Sequence, residues 1–488
     1  MAPRQAIVIG GGITGLATAL TLGRRGLGVT LLERDPAPGV PEVDAVFTAW
    51  DRAGVPQIRH SHVFLGRLRN LLRDHHPDVL AALLAAGARE YRLTELPPPA
   101  LRPLPAEPGD DDLVVLGCRR TTFEWVLRSI VAAQPGVTIV PEAVVTGLVA
   151  DRPAPPRVRG VQVRIGGVEQ TMGADLVVDT SGRRSSCAAW LEGIGAWPPD
   201  EETESSGIAY YTRFWRLRPD AVEPVPGTQP TASDWKWVKF AIFPADHRTF
   251  SITLAAPLSM PRMKVLSRPG AFDEMVRHIP GLAPWIAPEI AEPIDDLPRP
   301  VQAMGGLVNR LRRFVDEDGP SSVGFFVLGD AAYCTNPLYG RGCSQGFIHA
   351  ELLADALEAH GDDLGAAAVA LDRAARATIE PFYRASVLAD RDATRKAEGR
   401  EPSRLAGRLQ ARFLEEGVIV ATRCDPVVFR AFLRMMNMLE TPEAAFGRPE
   451  VVLRSLWVWL RPRWLNQAYQ LPPPPDREIT MARVEAAA

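Results

Sequence analysis

At 488 residues the chain is longer than one hydrophobic core usually fills, so two or three modules are expected. A hydrophobic fraction of 46% with a net charge of −3 excludes the basic excess of a nucleic-acid binder, and no apolar run reaches the roughly 18 residues of a membrane span. Five cysteines (Cys118, Cys187, Cys334, Cys343, Cys424) show neither paired nor metal-like spacing, which excludes a disulfide framework and a spacing-defined metal site and suits a reducing cytoplasm.

Met1 to Gln5 is too short and polar for a signal peptide, so a cytoplasmic location is expected. Ala6 to Ile9 then form an apolar run suited to a buried parallel strand, and Gly10-Gly11-Gly12-Ile13-Thr14-Gly15 follows at once. After it, Ile13, Leu16, Ala17 and Leu20 recur on one helical face, and Val29 to Leu32 make a second buried strand ending in Glu33 and Arg34. Gly10 permits the tight turn, Gly12 lets the backbone approach a pyrophosphate, and Gly15 lets helix pack on strand. Phosphate charge then meets the helix amino terminus. Glu33 stands where a carboxylate accepts both ribose hydroxyls and repels a 2′-phosphate, so the site reads as a dinucleotide site that disfavours NADP.

Further along, Pro97 to Asp112 is a proline-rich acidic loop. Val137, Val144 to Val149, Val158 to Ile165, Val168 to Met172 and Leu176 onward read as a strand, a meander and a return strand ending in Asp179-Thr180-Ser181-Gly182. From Gly207 to Arg310 the strands lengthen and become two-faced: Tyr210 and Phe214 alternate with Tyr211 and Trp215. Trp235 to Phe243 and Thr249 to Leu254 predict a hairpin about Asp246 and His247. Tyr211, Phe214, Trp237 and Phe240 are the candidate pocket residues of this sheet.

Ser322 to Leu328 predict another buried strand with Asp330 just past its carboxyl end. A turn at Asn336-Pro337-Leu338-Tyr339 leads through Gly340-Arg341-Gly342-Cys343 to an amphipathic helix from about Ser344. The free amides and positive end of that helix suit the pyrimidine edge of a flavin, which becomes anionic on reduction, and Asp330 suits the ribityl chain. The two glycine segments together read as the two ends of a non-covalently bound FAD. Beyond residue 361, Ala366 to Ala377, Arg404 to Glu415 and Val427 to Met438 predict a helical cap, and Pro472 to Pro475 a linker. In the tail Val451, Val452, Leu453, Leu456, Trp457, Trp459, Leu460 and Trp464 interleave with Arg454, Arg461 and Arg463. That composition suits either packing over the substrate domain or weak peripheral contact with a membrane.

On these motifs the chain resembles the FAD-dependent monooxygenases of the aromatic-hydroxylase fold, and within them the branch of bacterial flavin epoxidases related to squalene epoxidase. The resemblance rests on Gly329-Asp330-Ala331-Ala332, on Asn336 to Ser344, and on Gly54-Val55-Pro56-Gln57-Ile58-Arg59-His60-Ser61-His62 followed by Pro77 and Leu80 to Gly87. Arg120, with Phe123, Glu124 and Leu127 behind it, matches the arginine that opens a helix beside the FAD pyrophosphate. The resemblance implies an α/β fold with a Rossmann-like FAD domain carrying an inserted β-meander (1–206 and 311–360), a mixed β-sheet substrate domain (207–310) and a C-terminal helical region (361–488). It departs at Asp179-Thr180-Ser181-Gly182, which lacks the aspartate before the glycine, and at Tyr333, where histidine is common.

The implied activity is monooxygenation through a flavin C4a-hydroperoxide, epoxidising or hydroxylating an apolar small molecule of secondary metabolism. O2 is the co-substrate, and NADH, NADPH or a partner flavin reductase is the electron source. Arg59, His60 and His62 are the candidate polar groups near the flavin. Two alternatives stand beside this one. Trp235-Lys236-Trp237 is similar to the Trp-x-Trp of flavin-dependent halogenases, without the Ile-Pro that follows there. The Asp-Thr-Ser-Gly strand end resembles FAD-dependent reductases of the geranylgeranyl-reductase type.

Overall fold

The structure is a computed structural model that describes residues 4–40, 42–151, 154–224, 229–402 and 404–488; of the leader Met1 to Gln5 only Arg4 and Gln5 are among them. Its centre is a five-stranded sheet in the order Phe325–Val327, Leu176–Asp179, Gln5–Ile9, Gly28–Leu32, Val137–Val140, with every neighbouring pair parallel. Both faces are covered, which is why these strands read as unbroken apolar runs rather than alternating ones. The helices Ile13–Arg24 and Gly342–His360 pack against each other. A Cβ on Gly346 would lie 2.4 Å from Thr14 Oγ1, so glycine there permits the close approach.

The predicted meander is present as three antiparallel strands, Ala143–Asp151, Arg157–Ile165 and Val168–Gly173. The strand expected over Ser322 to Leu328 is only Phe325–Val327, because Gly324 takes a left-handed φ of 82° just before it. The Rossmann-like sheet with antiparallel sheets and carboxy-terminal helices is the α/β architecture expected from sequence.

The second large sheet runs Ala232–Asp234, Lys239–Pro244, Thr249–Pro257, Ile208–Leu217, Ala291–Pro293, with Val301–Met304 also paired to Ile208–Leu217. Strand character begins at Lys239 rather than Trp235. Trp235 to Val238 instead close a turn, Trp235 N to Val238 O at 2.9 Å, with Lys236 at a left-handed φ of 69°. The hairpin about Asp246 and His247 forms as expected, with His247 and Arg248 both left-handed.

Period-two alternation splits the strand Ile208–Leu217 between two environments. Tyr211 and Trp215 face an apolar core with the helix Pro269–Arg277 and part of the helix Arg477–Ala486. Tyr210, Thr212 and Phe214 face the nucleotide-fold module, where they meet Asn336, His60 and Phe47. The carboxy-terminal region is not one cap: the helix Arg477–Ala486 leaves the other helices and docks on the outer side of this sheet, where Arg262 holds Glu478 and Glu485. Among the described residues no helix is long and apolar enough to cross a membrane.

Candidate flavin site

The three glycines of the first turn do three different jobs. Gly10 has a φ of 99°, and a Cβ there would lie 3.0 Å from Ser181 Cα. Gly15 is packed so closely that a Cβ would lie 1.8 Å from the carbonyl oxygen of Gly10. At Gly12 a Cβ would meet nothing within 4 Å, which leaves open space at the amino end of the helix Ile13–Arg24. Thr14, in the first turn of that helix, meets Gly329 across the module: a Cβ on Gly329 would sit 2.6 Å from Thr14 Oγ1.

Glu33 is buried at the end of its strand and is held by Gly11 N (2.7 Å), Asp35 N (2.8 Å) and Arg52 Nη2 (2.9 Å). Arg52, which sequence reasoning missed, also pairs with Asp35 and Glu124. Glu124 in turn accepts from Arg120 Nε at 3.0 Å, so a buried chain of charges runs from Glu33 to the arginine that opens the helix Arg120–Ala133. Arg34 is exposed. Beside this chain the Nη1 of Arg128 is buried without a hydrogen-bond partner.

At the other end, the turn Gly329–Ala331 carries Asp330. No hydrogen bond or ion pair reaches Asp330 among the described residues. Burial pushes its carboxyl above the usual carboxylate range, against the positive charges of Arg183 and Arg120. Oδ1 of Asp330 would lie 3.5 Å from a Cβ placed on Gly342, the first residue of the helix Gly342–His360. In the first turn of that helix Ser344 Oγ and both amide atoms of Gln345 are fully buried without partners. Gly340 supplies the left-handed φ of 64° that turns the chain into the helix after the 3-10 turn Pro337–Tyr339. Cys343 is buried with its thiol pushed up to about 11 by burial, and Arg120 Nη1 stands 3.7 Å from its sulfur.

The loop before Gly340 is clamped from outside the nucleotide fold. Asp390, on the helix Glu380–Ala397, accepts from Asn309 Nδ2 (2.7 Å), Asn336 Nδ2 (2.8 Å) and the Tyr339 hydroxyl (3.0 Å). Tyr210 donates its hydroxyl to Asn336 Oδ1. Arg341 reaches the same helix, donating to Phe382 O and Ser386 Oγ. His349, one helical stretch beyond Gln345, accepts from Gly329 N at 3.1 Å and so fixes the Asp330 turn from below. Burial lowers His349 to about 3, which keeps the accepting nitrogen unprotonated.

The three candidate polar groups separate. Arg59 clamps a loop, donating from Nε and Nη2 to the carbonyls of Phe47, Thr48 and Trp50. His62 Nδ1 donates to His60 O (2.9 Å), and its Nε2 lies 3.4 Å from Arg120 Nη1, beside Cys343. Burial, then the charge of Arg120, lowers it to about 3. His60 faces the substrate sheet, with Nδ1 3.0 Å from Thr212 Oγ1, and burial lowers it to about 4. From Thr212 a hydroxyl chain continues through Thr253 (2.8 Å) and Ser61 (2.7 Å) to Ser251 (2.7 Å).

The candidate pocket residues need correction. Tyr211, Trp237 and Phe240 lie in the core beneath the helix Pro269–Arg277, on the sheet face turned away from the nucleotide fold. Only Phe214 faces inward, 4.8 Å from Phe47 and packed with Leu297. The wall that does face the nucleotide fold is Thr212, Phe214, Ser251 and Thr253, with Met304 near Arg183. Lys236 is exposed on its turn, outside the site. Asp179 is spent on Ser181 N (2.8 Å) and the Ser185 hydroxyl.

These residues fit an FAD. Gly12 leaves open space where a pyrophosphate would approach, Arg128 Nη1 is buried and unpartnered beside Glu33, and Asp330, Ser344 and Gln345 have unspent polar groups where the ribityl chain and flavin edge would lie. Comparisons with known proteins agree. A family model described as FAD dependent oxidoreductase matches residues 5–96. Protein Rv3254 of Mycobacterium tuberculosis is 27% identical over 94% of this chain and 95% of its own. Among solved structures, p-nitrophenol 4-monooxygenase PnpA of Pseudomonas putida DLL-E4 aligns at a TM-score of 0.59 with 18% identity, over 90% of this chain and 99% of its own. PqsL, a probable FAD-dependent monooxygenase of Pseudomonas aeruginosa, aligns at 0.55 with 17% identity over 81% and 99%. The myxobacterial chondrochloren halogenase CndH aligns at 0.60 with 16% identity over 90% and 97%. The chain thus carries an FAD-dependent oxidoreductase module over residues 5–96, on the fold that these monooxygenases and halogenases share.

Proposed function

We propose that the protein is an FAD-dependent monooxygenase that places one oxygen atom of O2 on a small organic molecule by epoxidation or hydroxylation. The observation that carries this reading is the pairing of unspent buried groups at Asp330, Ser344 and Gln345 with a partly apolar, partly hydroxyl-lined sheet face opposite. When bound, reduced flavin supplies the two electrons with which O2 yields one transferable oxygen atom and one water.

The chain's own residues do the rest. The amino end of the helix Ile13–Arg24 and Arg120 hold negative phosphate charge, while Glu33 accepts ribose hydroxyls. Asp330 would accept from the ribityl chain, and the amino end of the helix Gly342–His360 would favour the flavin edge that gains charge. Phe214, Phe47 and Met304 give the substrate an apolar bed that excludes water, and the Ser61–Thr253 hydroxyls orient a hydrogen-bonding group on it. His60, neutral near pH 7, donates or accepts one hydrogen bond and carries no charge. No aspartate stands immediately before Gly182, and the buried Asp179 is already bonded to Ser181 N and the Ser185 hydroxyl, which favours electron supply by a separate NAD(P)H-dependent flavin reductase.

The test is anaerobic reduction of the reconstituted protein, mixing with 18O2 and either an alkene or a phenol, and mass analysis of the product. One 18O atom per product is expected, with NADH or NADPH alone reducing the flavin slowly and an added reductase restoring the rate. Product formation that requires chloride or bromide would instead assign a halogenase, and turnover without O2 a reductase.

A further inference from the structure

The tail composition left two readings, and burial separates them. On the helix Pro449–Leu460 the residues Val451, Ser455 and Val458 point inward, while Leu453, Trp457 and Leu460 are 65%, 71% and 74% exposed. The next turn, Arg463–Asn466, extends this row with Trp464 at 68%. The neighbouring helix Leu405–Arg412 and the π-helical turn Phe413–Val418 add exposed Leu405, Leu409 and Leu414. The two elements pack through Phe413 on Trp459, ring centroids 5.5 Å apart, with Gly417 in contact with both. Ten of the eighteen large exposed apolar side chains among the described residues fall between 405 and 471, so this is a concentrated patch and not scattered surface.

Charge selects the occupant. Residues 404–466 hold ten arginines against six carboxylates in a chain whose net charge is −3. Arg461 bonds Asn466 and Cys424 rather than a carboxylate, and Arg463 is well exposed beside Glu416. A twofold dimer through this face would set the same positive groups against each other. We propose that the patch is a monotopic docking surface for an anionic lipid bilayer: Trp457, Leu460 and Trp464 enter the headgroup boundary, and Arg461 and Arg463 meet lipid phosphates.

The experiment uses the full-length protein and sedimentation with vesicles of phosphatidylcholine alone or with about one third phosphatidylglycerol, at low and high salt. Binding is expected to the anionic vesicles only, to weaken with salt, and to blue-shift tryptophan emission. Because the side chains are exposed, the triple variant W457S/L460S/W464S should keep its unfolding temperature and lose at least tenfold in binding. R461Q/R463Q should lose most of the phosphatidylglycerol dependence. Equal binding to both vesicle types would overturn the proposal. So would no vesicle binding, whether light scattering shows a monomer or a dimer that the triple variant dissolves.

Discussion

Arg119 and Asp246 lock the substrate sheet to the nucleotide fold. The backbone N of Arg119 donates to Oδ1 of Asp246 at 2.6 Å and its Nε to Oδ2 at 3.0 Å, with both side chains essentially without solvent exposure. Thr122 donates to the same carboxylate at 2.7 Å. Arg119 immediately precedes Arg120, so the turn of the hairpin from the second sheet sets the start of the helix that faces the cofactor site.

Asp246→Ala leaves the buried Arg119 guanidinium with only the more exposed Asp44 as counter-charge and is expected to cost about 3–5 kcal/mol of stability in urea unfolding. A loss below about 1 kcal/mol would show that water or Asp44 replaces the carboxylate. Burial alone would raise the Asp246 carboxyl, but the charge and bonds of Arg119 outweigh it and hold it below the usual range. Its folded value is therefore below the unfolded one near 3.9, and the contribution is whole above about pH 5 and disappears as pH falls through the depressed value.

The two motif glycines at positions 12 and 15 should fail differently. Gly12 sits at φ −76°, where alanine is unstrained, and its Cβ would touch nothing. Gly12→Ala should keep the wild-type unfolding temperature of the cofactor-free protein yet weaken FAD binding at least about tenfold, roughly 1.4 kcal/mol. Gly15→Ala collides with the Gly10 carbonyl and should unfold at lower temperature with or without FAD. Equal thermal loss in both variants would remove Gly12 from the cofactor site.

How much of this was readable from the chain follows from how local each signal is. The glycine turns and buried strands lie in contiguous segments, so Gly10 to Gly15 and Asp330 to Gly342 were found with the correct elements around them. The strand Ile208–Leu217 showed its period of two but not its sidedness, because both faces are aromatic; Tyr211 and Phe240 were assigned to the wrong one. Arg52 and Asp390 carried no local signature at all, and Asp246 only that of a hairpin turn. Each acquires its role only when elements dozens to hundreds of residues apart meet, as Asp390 does with Asn309 and Asn336.

Asp330 should trade stability for binding. Its folded value lies above the unfolded one, so the native state holds the extra proton and stability falls as pH rises through that interval. Asp330→Asn should therefore raise the unfolding temperature of the cofactor-free protein near pH 7. Asp330→Ala should weaken FAD retention by about 1–3 kcal/mol in fluorescence titration. Unchanged FAD affinity would mean that this turn does not meet the ribityl chain.

Charging of the buried histidines should destabilise the fold as pH falls below about 6.5. His60, His62 and His349 are lowered to about 4, about 3 and about 3, chiefly by burial, against about 6.5 in an unfolded chain. Between those values the unfolded state binds the extra protons, so this contribution is complete above about pH 6.5 and declines as pH drops, by up to about 4 kcal/mol per unit for the three. Urea unfolding across this interval gives the slope. His349→Gln, which keeps an acceptor for Gly329 N, should reduce it by about a third, and an unchanged slope would place the proton uptake elsewhere.

The Asp390 clamp means that the nucleotide fold is not an autonomous unit despite its self-contained sheet. Cutting the chain after the helix Gly342–His360 would spare all five parallel strands and both glycine motifs, yet would strip three donors of their shared acceptor and free the segment that aims Gly340 and Gly342. A shortened protein of that kind would also lose Leu364, Leu371, Ile379 and Phe382 from the core that these strands share, so the distal helices make themselves felt in folding as well as in ligand loading.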